Sequence, residues 1–304
     1  MLLCLGLAGC ATTPRGDAAA SNPGPESHDM DSQADTTFRA VSFNIRYPNR
    51  DDGPDYWGNR RHRVVQTLER LDPDVFGVQE AYRQPARYLH EQLDGYAYIG
   101  VGRDDGEDRG EMTAVFYRTA RFELRDHGHL WLSDTPDVPG SVGWDASMTR
   151  MATWLVLEDR NTQQRWLVVN AHFDHRGLIA RTESAKLLSR FIQDQRAALG
   201  GAPAILMGDF NSGVETDAYA ALCGPEHGEA LLDSLLTADH REPLPEGAGE
   251  GTFNSFRDRT DSPRIDWVLV SPGVLVQAAG IDHGKVDGRN PSDHFPVWAD
   301  LRHE

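Results

Sequence analysis

Eleven short runs rich in Val, Ile, Phe, Tyr and Trp recur along the chain, at 39–45, 74–79, 96–101, 112–117, 122–132, 151–158, 165–171, 203–208, 265–270, 274–281 and 295–301. Several alternate in polarity, so each run is predicted to be a strand. Helical spacing occurs at 60–70, 84–93 and 178–196. In the last of these, Leu178, Ala185, Leu188, Phe191 and Ile192 fall on one predicted face, and Gly200, Gly201 and Pro203 end the helix. Many strands follow one another with no helix between them, which argues against a purely parallel doubly wound sheet. The pattern predicts an α/β fold, a four-layer sandwich of two packed mixed or antiparallel sheets flanked by helices.

The first 37 residues are of another kind. Residues 1–10 are apolar and end in Leu-Ala-Gly-Cys, similar to the end of a bacterial lipoprotein signal peptide. On that reading Cys10 is the lipidated first residue of the mature chain, and Ala11 in second place favours the outer membrane. Residues 11–37, rich in Ala, Ser, Pro, Gly and Asp, are expected to be a disordered tether. Residues 38–304 then form one catalytic domain. Cys4 would be lost with the signal and Cys10 acylated. Cys223 is left alone, so no internal disulfide is expected.

Charge narrows the partners. The chain carries a net charge of −17, of which about −13 belongs to 38–304. A broad basic footprint for nucleic acid is excluded. A local cationic site or a bound metal can still reverse the field in one cleft.

Polar groups gather where the predicted strands end. The first strand carries Asn44, and the second runs into Glu80. The strand at 165–171 leads into Asn170-Ala-His172-Phe-Asp174-His175. The next ends in Gly208-Asp209-Phe-Asn211. Arg264-Ile-Asp266 opens the strand at 265–270, and Ser292-Asp293-His294-Phe-Pro precedes the last. One Asn or Asp at a strand end is ordinarily a turn or cap. Six such sites would converge on one rim if the strands lie side by side, and buried charges there need partners or metal. Glu80 and Asp293, with Asn44, offer hard oxygen donors suited to Mg²⁺ or Mn²⁺. Neither zinc-ligand spacing, a phosphate-binding Gly-Lys loop nor a Gly-x-Ser-x-Gly elbow occurs. A metal, two histidines and a carboxylate without a nucleophilic Ser or Cys point to direct attack of water on a phosphorus ester.

This ordered set resembles the endonuclease/exonuclease/phosphatase superfamily over 38–304. The resemblance implies one Mg²⁺ or Mn²⁺ ligated by Glu80, with Asn44 beside it and Asp293 helping directly or through water. It implies Asp209 as the group that orients or deprotonates water, and Asn211 as a holder of phosphate or nucleophile. It implies His172 and His294 as phosphoryl contacts, with Asp266 orienting His294. Arg46 stands where abasic-site enzymes of the family place an acid, which disfavours a two-metal site and abasic-site repair. The segments around Arg103, Glu111 and Arg150 resemble an extracytoplasmic bacterial subgroup, and Arg103 and Arg150 are candidate substrate contacts. Asp174 and His175 either flank the site or form a turn. Trp57, Trp131 and Trp144 are expected to serve packing.

The expected function is therefore a metal-dependent phosphoesterase, monoester or diester, lipid-anchored in the cell envelope and monomeric. A lipid-anchored nuclease is the alternative, disfavoured by acidity. A non-catalytic binding lipoprotein is a third reading, opposed by the intact polar set.

Overall fold

The structure, a computed structural model, describes residues 36–225 and 229–303. The signal segment, Cys10 and all but the last two residues of the tether lie outside the described residues. Thr37, the end of the expected tether, donates its hydroxyl to Gln277 and accepts from the Arg121 guanidinium.

The described residues form two sheets. The first holds β1 (Phe38–Asn44), β2 (Val75–Ala81), β3 (Tyr96–Ile99), β4 (Met112–Arg118), β10 (His240–Arg241), β12 (Val274–Ile281) and β13 (Val297–His303), in the order β10-β12-β13-β1-β2-β4-β3. The second holds β5 (Phe122–Trp131), β6 (Met151–Asp159), β7 (Arg165–His172), β8 (Ala204–Asp209), β9 (Leu232–Asp233) and β11 (Asp266–Val270), in the order β5-β6-β7-β8-β11-β9. Parallel pairing is confined to β1 with β2, β7 with β8 and β10 with β12. The eleven predicted strands are all present. The two-residue β9 and β10 were too short to leave a periodic signal.

Alternation along the strands explains why they read as nearly continuous apolar runs. In β7, Trp166 and Val168 point into the core between the sheets, with Ile205 and Met207 of β8 and Val75 of β2. Leu167, Val169 and Ala171 point the other way, onto α3 (Leu178–Ala198) and α4 (Asp217–Cys223). On the far side, Val41, Phe43 and Phe76 pack against α1 (Trp57–Leu71) and α2 (Arg83–Gln92). Both faces of each sheet are thus covered, and the four-layer order follows.

One detail of the predicted α3 face is corrected. Leu178 is 69% exposed at the helix start, and Ala180, Ser184, Ala185, Leu188, Ser189 and Ile192 carry the buried stripe. Short residues let α3 lie close to the sheet, a choice that hydrophobicity alone does not reveal. Cys223 is half-buried at the end of α4 as a free thiol, pushed up to about 12 by burial and the nearby Asp233 carboxylate.

The two sheets are also joined by a polar clamp. Asn170 of β7 is fully buried and donates to the carbonyls of Val78 and Ala114, both at 2.9 Å. It accepts from Gln79 at 2.7 Å. A Cβ on Gly77 would meet the Asn170 carboxamide at 2.6 Å, so only glycine lets the clamp close.

Candidate active site

Strand register places three of the polar groups side by side. His172 at the end of β7 pairs with Asp209 at the end of β8, and Asp209 pairs with Asp266 at the start of β11. The other sheet contributes Asn44 and Glu80 from the ends of adjacent parallel strands. Asn44 Nδ2 donates across the sheets to Asp209 Oδ2 at 2.9 Å and to Glu80 Oε1 at 3.1 Å. Its carboxamide oxygen accepts from the Arg46 backbone N–H at 2.9 Å. Glu80 sits at a β-bulge with φ +60°, a left-handed conformation that turns its carboxylate to the rim, and it accepts from the Tyr47 N–H at 3.0 Å.

The rim these groups build borders one cavity of about 610 Å³. Glu80, Arg103, Glu111, Arg150, His172, Asp209, Asn211, Asp293 and His294 all face it, with Arg46 and His175. The structure thus brings nearly every sequence-predicted site residue together. Asn44 and Asp266 stand behind the lining and hold it. Asn211, at φ +47°, anchors its side chain on the Phe173 carbonyl and its N–H on Asp209 Oδ1.

Burial sets the protonation states apart. Asp209 is pushed up to about 7, chiefly by burial and then by the Asp266 charge. Asp293 is also raised, by burial with Glu80 adding to it. His294 is buried, which opposes its charge, but Asp266 and Asp209 outweigh this and hold it well above the ordinary imidazole range. The Asp266 contact is direct, His294 Nδ1 to Oδ2 at 2.8 Å. His172 is the opposite case. Burial, then the charges of Arg150 and Arg103, hold it well below that range. The surroundings thus drive the two rings in opposite directions, His294 toward the charged form and His172 toward the neutral one, although the sequence motifs present them alike.

The three arginines of the cavity differ in what they already hold. Arg46 is bidentate on Asp52 and lies 3.7 Å from Asp293. Arg103 is bidentate on Glu111, at 2.7 and 3.1 Å. Arg150 Nη1 lies 3.0 and 2.9 Å from the two ring nitrogens of His172, and Nη2 lies 2.9 Å from His175 Nδ1.

Several contributors escaped the sequence reading. Tyr47, Tyr82, Met148, Phe253 and Ile265 supply the apolar part of the cavity wall. Arg60 is fully buried on α1 and donates to the carbonyls of Asp55, Ile45, Arg46 and Pro291 at 2.6 to 3.0 Å. An arginine in a helical pattern ordinarily reads as solvated, so no local signal marks it. Trp57 and Trp131 are buried, and Trp131 donates to the Arg103 carbonyl at 2.6 Å. None of the three singled-out tryptophans lines the cavity.

The donor set fits a hard divalent cation. Ligand atoms of Glu80, His172 and Asp209 lie within 4.8 Å of one another. Asp209 belongs to this cluster, and Asp293 stands outside it. Three carboxylates crowded at one rim, two of them raised by burial, gain from a cation among them.

The chain belongs to the endonuclease/exonuclease/phosphatase family, whose pattern matches residues 41–294. Its two mixed sheets flanked by helices are those of a DNase I-like α/β sandwich. A solved family member from Bacteroides thetaiotaomicron is 40% identical, with a TM-score of 0.79 over 88% of this chain and 98% of that one. A mannosyl-6-phosphatase from the same organism is 39% identical, with a TM-score of 0.79 over 87% of this chain and 99% of that one. Among curated relatives, Drosophila melanogaster nocturnin is 24% identical over 81% of this chain, and an uncharacterised mimivirus protein is 29% identical over 51%. The chain spans 42% and 59% of the lengths of those two relatives.

Proposed function

We propose that the protein is a divalent-metal-dependent phosphoesterase that hydrolyses a small phosphate ester by direct attack of water. The observation that carries this is the meeting of Glu80, Asp209, His172 and charged His294 on one cavity. Glu80, with Asp293, would hold one Mg²⁺ or Mn²⁺, which supplies charge stabilisation on a phosphoryl oxygen when bound. Asp209 takes the proton of the attacking water, and its raised proton affinity suits it to that task. His294, charged by Asp266, stabilises negative charge developing on the phosphoryl oxygens. His172 and Asn211 position the phosphate. Similarity to the mannosyl-6-phosphatase makes a hexose 6-phosphate the first substrate to try.

The test is a panel of sugar phosphates, nitrophenyl phosphates, phospholipids and nucleic acids with Mg²⁺, Mn²⁺, Ca²⁺ or chelator, with His172→Ala as control. Metal-dependent turnover of a small ester, abolished in the variant, is expected. Efficient digestion of DNA or RNA at moderate salt would move the reading to a nuclease. Near wild-type activity in His172→Ala would overturn the site.

The N-terminal Leu-Ala-Gly-Cys supports lipid anchoring at Cys10 in the cell envelope. Cys10→Ser should shift the protein from the membrane to the soluble fraction. Unchanged fractionation would remove this part.

A further inference from the structure

Of the three arginines on the cavity wall, Arg150 alone hydrogen-bonds no carboxylate; its ion pair, with Asp174, is the longer 3.6 Å. Arg46 and Arg103 are each closed by a bidentate partner, Asp52 and Glu111. Arg150 is 5% exposed, and its terminal nitrogens meet only imidazole nitrogens of His172 and His175 within hydrogen-bonding distance. Its Nε is buried without a partner. The nearest carboxylate oxygen, Asp174 Oδ2, is 3.6 Å away and already accepts from the N–H and hydroxyl of Ser147. Asp174 Oδ1 accepts from the N–H groups of Arg176 and Gly177. A buried guanidinium left in this state is costly unless an anion completes it. It is also in place to meet one. From Arg150, contacts run to His172, from His172 to Asp209 at 3.5 Å, and from Asp209 to His294 at 3.9 Å.

We propose that Arg150 reads the second negative charge of a terminal phosphate and makes this site selective for phosphomonoesters over phosphodiesters. The inference rests on the phosphoesterase reading and sharpens its substrate class. A monoester near neutral pH carries close to two charges and three non-bridging oxygens. Glu80 and its neighbouring carboxylates would hold a cation that takes up part of this charge, and a further oxygen would be left for the fork of Arg150. A diester has one charge fewer, and its second ester group would have to sit against this buried wall with the guanidinium still lacking a hydrogen-bonded anion.

The experiment compares wild type, Arg150→Gln and Arg150→Lys with Mn²⁺ on p-nitrophenyl phosphate and bis(p-nitrophenyl) phosphate. It also measures binding of inorganic phosphate and dimethyl phosphate by calorimetry. Wild type should favour the monoester. Arg150→Gln should lower the monoester-to-diester ratio of kcat/KM by about tenfold or more, the loss expected when a charge-assisted contact made by one substrate alone is removed. It should weaken phosphate binding far more than dimethyl phosphate binding. Arg150→Lys, which keeps charge but not the fork, should fall between and covers the case in which the glutamine variant does not fold. Equal losses on both esters, or a wild-type preference for the diester, would overturn the inference and leave the phosphoesterase reading intact. Turnover of neither ester nor any other phosphate ester by wild type would instead remove that reading.

Discussion

Arg60 on α1 donates to the carbonyl of Pro291, two residues before Asp293 and 231 residues further along the chain, at 3.0 Å. The same guanidinium holds the carbonyls of Ile45 and Arg46, just after Asn44. One buried cation therefore sets the loops that follow β1 and precede β13 against each other. Arg60→Met should lower stability by about 2–4 kcal/mol, because several buried carbonyls lose their donor. Arg60→Lys should recover only part of this, since an ammonium cannot span the four carbonyls. Denaturant unfolding measures both, and a loss below about 0.5 kcal/mol would contradict the assignment.

Gly77→Ala should destabilise the fold by about 1–3 kcal/mol, because the new methyl group would enter the Asn170 carboxamide and open the clamp between the sheets. Thermal unfolding beside Gly95→Ala, where a Cβ meets nothing but φ is +84°, separates crowding from backbone strain.

Asn44→Ala should weaken Mn²⁺ binding by about 10–100-fold, the usual cost of losing a group that orients a ligand. Asn44 holds both Glu80 and Asp209, so both should loosen together. Calorimetric titration needs no substrate, and unchanged affinity would remove Asn44 from the metal's surroundings.

Asp266→Asn should lower kcat/KM on any ester the enzyme cleaves by about 10²–10³-fold, because His294 loses the carboxylate that fixes its ring and sustains its charge. Circular dichroism should stay native. Activity within a fewfold of wild type would mean that His294 acts without this support.

His129 is held down to about 4 by burial, with His127 adding to it, and bonds Thr153 through Nδ1. Its folded value lies below its ordinary value near 6.5, so the unfolded chain takes up the proton first. Stability should therefore fall as pH drops from about 6.5 to about 4. His129→Asn, which does not titrate, should make that slope shallower in melts recorded across this range. An identical slope would show that the ring is not protected in the folded state.

Much of this protein was determined by its sequence alone. Apolar runs carry the strands because the central strands of both sheets are covered on both faces. Asn44, Glu80, His172, Asp209, Asp266 and His294 stand out because a polar group at the end of an apolar run is a local signal. Tertiary structure decided the rest. Asn170 and Gln79 have the same strand-end look, yet they clamp the sheets together, since their partners come from the other sheet. His172 and His294 read alike until three-dimensional neighbours give one ring arginines and the other carboxylates. Arg60 and Arg150 are ordinary arginines in the chain, and only their buried surroundings separate a guanidinium satisfied by four carbonyls from one that meets imidazoles and a carboxylate already held by other donors. Electrostatic role depends on distance in space, and the linear order of residues does not carry that distance.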